Sequence, residues 1–155
     1  GVQSEEEFYM IENAFLLYCR PRVSYNVKQH IIEKRTVVEI TIPGEQTPPF
    51  YAKGDDNNWW AYIRYKDENH LASTVILKLW KKQQQNRGVL LQYGKAEELL
   101  LKWLENNEEI SMPEFRKLAR LSKNKAENIL VNLLMLKLIS YRPSSEGYMY
   151  YALPK

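Results

Sequence analysis

Five basic side chains, Arg116, Lys117, Arg120, Lys123 and Lys125, fall within ten positions of "RKLARLSKNKAENIL" (116 to 130), with no acid among them. Clustered guanidinium and ammonium groups are the chemistry that meets phosphate, because each contact releases counterions condensed on a polyanion. Asn124, Glu127 and Asn128 are interleaved with these cations, and side chains of this kind exchange hydrogen bonds with base edges in a groove. The other reading of the same residues is a solvated scaffold face in a protein-interaction module. Salt dependence separates the two, since a phosphate interface weakens steeply with added salt and an apolar one does not.

Other chemistries find less support. "GVLLQYGKA" (88 to 96) has a superficial phosphate-loop look. Five residues rather than four separate Gly88 from Gly94, however, and Ala96 stands where a magnesium-binding hydroxyl would be needed. His30 and His70 are far apart, and with Cys19 as the lone cysteine no zinc set is recognisable. The carboxylates of "SEEE" and "ENNEE" fall at helix ends, and none is assigned as a general acid or base. The expectation is a protein without catalysis, metal or cofactor.

The elements that must position the cations follow from periodicity. "KAEELLLKWLEN" carries Ala96, Leu99, Leu100 and Trp103 at core spacing, so a helix is expected from Lys95 to about Asn106. Ile110 is expected to make a one-residue strand contact. Pro113 stands near the first position of a short helix whose Phe115, Leu118 and Ala119 face inward. "RLSK" is the turn. Ser122 is the expected N-cap of a third helix reaching Leu136, anchored by Ala126, Ile129, Leu130 and Leu133. "LISY" and "GYMYYAL" then read as strands joined by "RPSSE". Val131, Leu134, Met135 and Leu136 make that third helix apolar around more of its circumference than one small core requires. Either another part of this chain or a second copy must cover it.

Upstream, Phe8, Ile11, Ala14, Phe15 and Tyr18 predict a helix behind a Ser4/Glu7 capping box, stopped at Arg20-Pro21. Val23 to Ile42, with "EKR" (33 to 35) as a polar break, predicts a hairpin. "PGEQTPP" is a loop, "GDDNN" a reversal, and "WWAYIRY" a strand with Trp59, Ala61, Ile63 and Tyr65 on one face. A helix is expected after "KDENHLAS", with Val75, Ile76, Leu79 and Trp80 inward and Lys78, Lys81 and Lys82 in water. A domain boundary is expected near residue 88, in "QQQNRG".

The 155 residues allow one domain or two, and 45% hydrophobic residues suffice for a core. The net charge of +3 says little about partners, since the patch matters more than the sum. The longest apolar run, "ILVNLLMLKLI", is interrupted by Asn132 and Lys137 and is short of the roughly 20 residues a span needs, so no membrane crossing is expected. With no basic-then-apolar leader and one cysteine, a reducing, cytoplasmic location is the expectation.

Residues 95 to 155 resemble a winged-helix DNA-binding domain of the transcription-regulator kind. The resemblance is carried by Phe115, Leu118, Ala119, Leu121, Ser122, Ala126, Leu130, Leu133, Leu138 and Ile139. It implies that Lys123, Asn124, Glu127 and Asn128 face the major groove, and that Arg116, Lys117, Arg120, Lys125 and, in the wing, Arg142 grip phosphates. Residues 5 to 82 are similar to the closing portion of the Schlafen/AlbA-like domain family, on Val38, Ile40 and Pro43, then Pro49 and Tyr51, then Tyr62, Ile63 and Arg64, then Asn69, Ala72 and Ser73. That family's earlier glycine-rich strand and carboxylates have no counterpart here, which speaks against nuclease chemistry. The expected class is therefore α+β: a partial α/β sheet domain with flanking helices over 1 to 88, then a winged helix-turn-helix over 89 to 155. The expected partner is double-stranded DNA, with a homodimer as one way to cover the third helix.

Overall fold

A computed structural model of the chain describes residues 5–85 and 93–153, and the fold is α+β. The Ser4 cap, the boundary near 88 and most of "GVLLQYGKA" lie outside the described residues. Two compact units emerge, 1–62 and 63–155, with the division inside one strand.

In the first unit the apolar spacing gives helix α1, Glu5–Tyr18, which stops ahead of the cis Arg20-Pro21 peptide. The next two residues, expected only as a helix end, form strand β1, Cys19–Arg20. Once the proline has ended the helix, their backbone groups need partners and take them from β4, Tyr51–Lys53, in the register Cys19↔Ala52 and Arg20↔Tyr51. The predicted hairpin forms as β2, Asn26–Ile32, and β3, Arg35–Thr41, paired from Asn26↔Thr41 to Ile32↔Arg35. Its loop is Glu33-Lys34, both at positive φ (49° and 62°), the left-handed pair that a tight two-residue hairpin requires.

"GDDNN" reverses the chain as expected. Gly54 N donates to Asn58 O (2.8 Å), and Asp56 accepts from Asn58 N (3.0 Å), Asn58 Nδ2 (2.8 Å) and Trp60 Nε1. A side chain at Gly54 would press its Cβ to 2.8 Å from Asp56 Oδ1, so the turn closes tightly only around glycine. Strand β5, Trp59–Tyr65, follows with Ala61 buried and Trp60, Tyr62 and Arg64 exposed. Of the face Trp59, Ala61, Ile63 and Tyr65, the first three are buried or half-buried, whereas Tyr65 is exposed. Past the division, Lys66 at φ 53° turns the chain into β6, Glu68–Leu71, a strand that "KDENHLAS" did not announce because its residues do not alternate. The sheet runs β1-β4-β5-β6.

The second unit holds the main core. Helix α2, Thr74–Gln84, is capped by Ser73, whose side chain accepts from Ile76 N. Helix α3 is Lys95–Asn106. Strand β7, Ile110–Ser111, leads into α4, Met112–Ala119, where Ser111 and Glu114 form a reciprocal capping box around the N-terminal proline. Helix α5 is Lys123–Met135, capped by Ser122. Strands β8, Ile139–Ser144, and β9, Gly147–Ala152, complete a three-stranded antiparallel sheet in the order β7-β9-β8, with Ile110 opposite Tyr150. The hairpin loop is shorter than "RPSSE" suggested: Arg142, Pro143 and Ser144 continue β8 and only Ser145-Glu146 turn. Proline is accommodated there because β8 is an edge strand, which does not need every N–H for the ladder.

Phe115, Leu100, Leu130, Leu133, Ile139 and Tyr150 are completely buried, and each such side chain contributes roughly 1.5–3 kcal/mol on leaving water. Of the core spacing predicted for α3, Leu100 is buried, but Trp103 is exposed and Leu104 takes the inward place. Val75 and Leu79 of α2 join the same cluster together with Val131 and Leu134 of α5. Val131 and Leu134 of the surplus apolar face of α5 are therefore covered from within the chain, Met135 is partly buried, and Leu136 stays exposed.

Candidate nucleic-acid interface

The cations lie where α4 hands over to α5. Helix α4 ends in paired hydrogen bonds, Leu121 N to Arg116 O (3.0 Å) and Arg120 N to Lys117 O (3.4 Å), with Arg120 in the left-handed region at φ 52° and ψ 49°. A non-glycine residue there costs roughly 1–2 kcal/mol. Ser122 then opens α5, its side chain accepting from Lys125 N at 3.4 Å. Around this corner Lys117, Arg120, Lys123 and Lys125 are all exposed. None of the four makes an ion pair within 4.0 Å among the described residues, whereas Lys78, Lys102 and Arg142 each do. Arg116 is half-buried, and its Nε has no hydrogen-bond partner among the described residues.

The charge is placed against the helix's own electrostatics. The amino terminus of a helix carries partial positive charge and favours acids. Helices α3 and α4 follow that rule with Glu97, Glu98 and Glu114 in their first turns. Helix α5 has no acid in its first turn and begins with Lys123 and Lys125. Each exposed cation there is unfavourable by about 0.3–1 kcal/mol.

Four of the predicted contact residues behave differently from expectation. Glu127, expected to be exposed toward a groove, is only 5% exposed. It accepts from Thr74 Oγ1 at 2.6 Å and pairs with Lys78 Nζ at 2.8 Å, both from α2. Burial alone would raise its pKa, but the Lys78 and Thr74 hydrogen bonds and the charges of Lys78 and Lys123 outweigh burial and hold the carboxyl below its ordinary value. Asn124 and Asn128 remain exposed, yet their Oδ1 atoms accept from Lys78 Nζ at 2.7 and 3.3 Å. Arg142, expected to grip phosphate from the wing, is held by Glu109 in a two-pronged pair, Nε to Oε2 at 2.8 Å and a terminal nitrogen to Oε1 at 2.6 Å. The physical reason is the same for the glutamate and the arginine: a neighbouring element supplies the opposite charge before any ligand can.

The lysines of α2 were expected in water. Lys81 is exposed as expected, but Lys78 binds Glu127, Asn124 and Asn128, and Lys82 Nζ donates to Asn132 Oδ1 at 2.5 Å. Thr74, Lys78 and Lys82 recur every fourth residue on α2, as Asn124, Asn128 and Asn132 do on α5. Two polar stripes of matching period were the signal available in the sequence.

Elsewhere, Arg64 is exposed and reaches Asn69 Oδ1 (3.3 Å) and Asp67 (3.8 Å), and Arg20 lies over the Trp59 ring at 4.1 Å. Neither arrangement gathers further cations. Among the described residues no group of three His, Cys, Asp or Glu side chains could hold a metal ion, and no helix is long and apolar enough to cross a membrane. Comparison with known proteins finds no matching family model, no matching curated protein and no matching solved structure.

Proposed function

We propose that the chain binds duplex DNA through the α4–α5 corner and the first turns of α5, as a regulator of transcription. The observation that carries this reading is the concentration of Lys117, Arg120, Lys123 and Lys125, exposed and without ion-pair partners among the described residues, with Lys123 and Lys125 in the first turn of a helix, the end that disfavours cations. The helix gains nothing from Lys123 and Lys125 in that place, and a polyanion does. The reading also draws on the order α3-β7-α4-α5-β8-β9 with the sheet β7-β9-β8, a helical corner backed by a small sheet, which suits the winged helix-turn-helix resemblance.

Lys123, Asn124 and Asn128 would face the groove, and Lys117, Arg120 and Lys125 the flanking phosphates. Glu127 and Arg142 have no part in it. The double variant Lys123→Glu/Lys125→Glu tests the reading. Acids suit the first turn of a helix, which offsets the repulsion between position 123 and Glu127, so the variant should keep its fold by circular dichroism and lose duplex binding in a mobility-shift assay. Unchanged binding rejects this surface.

A second reading, a protein-interaction or dimerisation module, is favoured by the apolar exposure of the first unit, where Ile31 is 83%, Met10 68% and Leu16 61% exposed. Under that reading association is insensitive to salt.

A further inference from the structure

The groove of about 450 Å³ between α2 and α5 is lined by Lys78, Lys81 and Lys82 on one side and by Asn128 and Asn132 on the other. The lysines stand at i, i+3 and i+4, within one face of α2. Carboxylates are missing from its lining, and Glu127, lying behind it, answers only Lys78. Lys81 is exposed and, among the described residues, makes no ion pair. Two ammonium charges therefore remain uncompensated along the groove.

The asparagines add direction. An amide whose Oδ1 accepts from a lysine must turn its NH₂ donors to another side. With Lys78 on Asn124 and Asn128 and Lys82 on Asn132, three amides are fixed this way over eight residues of α5, a length of about 12 Å. Oriented N–H donors beside uncompensated ammonium groups suit the oxygen-rich, acceptor-only edge of a phosphodiester. Its α5 wall, Asn128 and Asn132, belongs to the same helix as the corner described above.

We infer that α2 is a second DNA-contacting element, in which Lys81 and Lys82 hold backbone phosphates of the duplex while Lys78 and Lys82 orient the asparagine amides of α5. The inference rests on the DNA reading and extends it to a helix that no winged-helix resemblance includes. It also gives a physical role to the lysine face of α2, which the core packing of Val75 and Leu79 does not require.

The test is a salt series of duplex binding by fluorescence anisotropy on the full chain, comparing the parent with Lys81→Gln and Lys81→Arg. Removing one phosphate contact should lower the slope of log affinity against log salt by about 0.9. Lys81→Gln is expected to show that drop with weaker binding at low salt, and Lys81→Arg to keep the parental slope. Parental slope in Lys81→Gln, with binding still lost in Lys123→Glu/Lys125→Glu, overturns the role of α2 and leaves the corner intact. Absence of duplex binding by the parent overturns both. Binding of inorganic phosphate that depends on Lys81, with an unchanged duplex slope, overturns it in favour of a small-anion site.

Discussion

Glu127 shows how one residue changes meaning between sequence and structure. By type and spacing it belongs to a polar, groove-facing set, and at 5% exposure it belongs to the seam between α2 and α5. Its folded pKa lies below the ordinary value of 4.5, so its contribution to stability is present above the unfolded pKa and is lost as pH falls through the folded one. Glu127→Gln is therefore expected to lower the urea unfolding free energy at pH 7 by about 1 kcal/mol, the low end for a buried hydrogen-bonded charge, because Lys78 can return to water. The difference from the parent should close once pH is well below 4.5. A gap that persists in acid assigns the effect to packing rather than charge.

Among the elements, α5 bears the most conflicting demands. Its buried side chains Ala126, Leu130, Val131, Leu133 and Leu134 all enter one core that also takes residues from α2, α4 and the sheet. Its first turn carries cations against the helix dipole, so the Ser122 cap has more to offset than the Ser111 cap of α4, which is helped by Glu114. Ser122→Ala should cost about 1 kcal/mol and Ser122→Gly only a few tenths, read from denaturant midpoints. A Ser122→Ala midpoint equal to the parent's would mean that the 3.4 Å bond to Lys125 N contributes nothing.

At the scale of the whole molecule the two units differ in how much they bury. The second has a contiguous core, while in the first only Val23 and Ala61 are buried hydrophobics among the described residues. A two-stranded ribbon such as β2-β3 is at best marginal by itself in water. Val27, Ile31, Val38 and Ile40 lie on one face of it. Self-association through that face is the expected outcome in sedimentation at rising concentration, and Ile31→Lys should shift the population toward monomer. A parent that stays monomeric throughout removes the dimerisation reading without touching the DNA one.

The sequence by itself determined the helices and hairpins, because caps, prolines, left-handed turn positions and apolar periods act within a few residues. α3, α4, α5, the β2-β3 hairpin and the β5 strand were legible for that reason, as was the cation cluster. The sequence also required that the surplus apolar face of α5 be covered, without saying by what. Only the tertiary structure decided that Val131 and Leu134 share a core with α2, that Glu127 and Arg142 are engaged by Lys78 and Glu109, and that Cys19–Arg20 and Glu68–Leu71 become strands. Those outcomes depend on partners up to 53 residues away in the chain. A local pattern cannot choose among such partners, since the choice is made by burial and charge compensation when the elements pack.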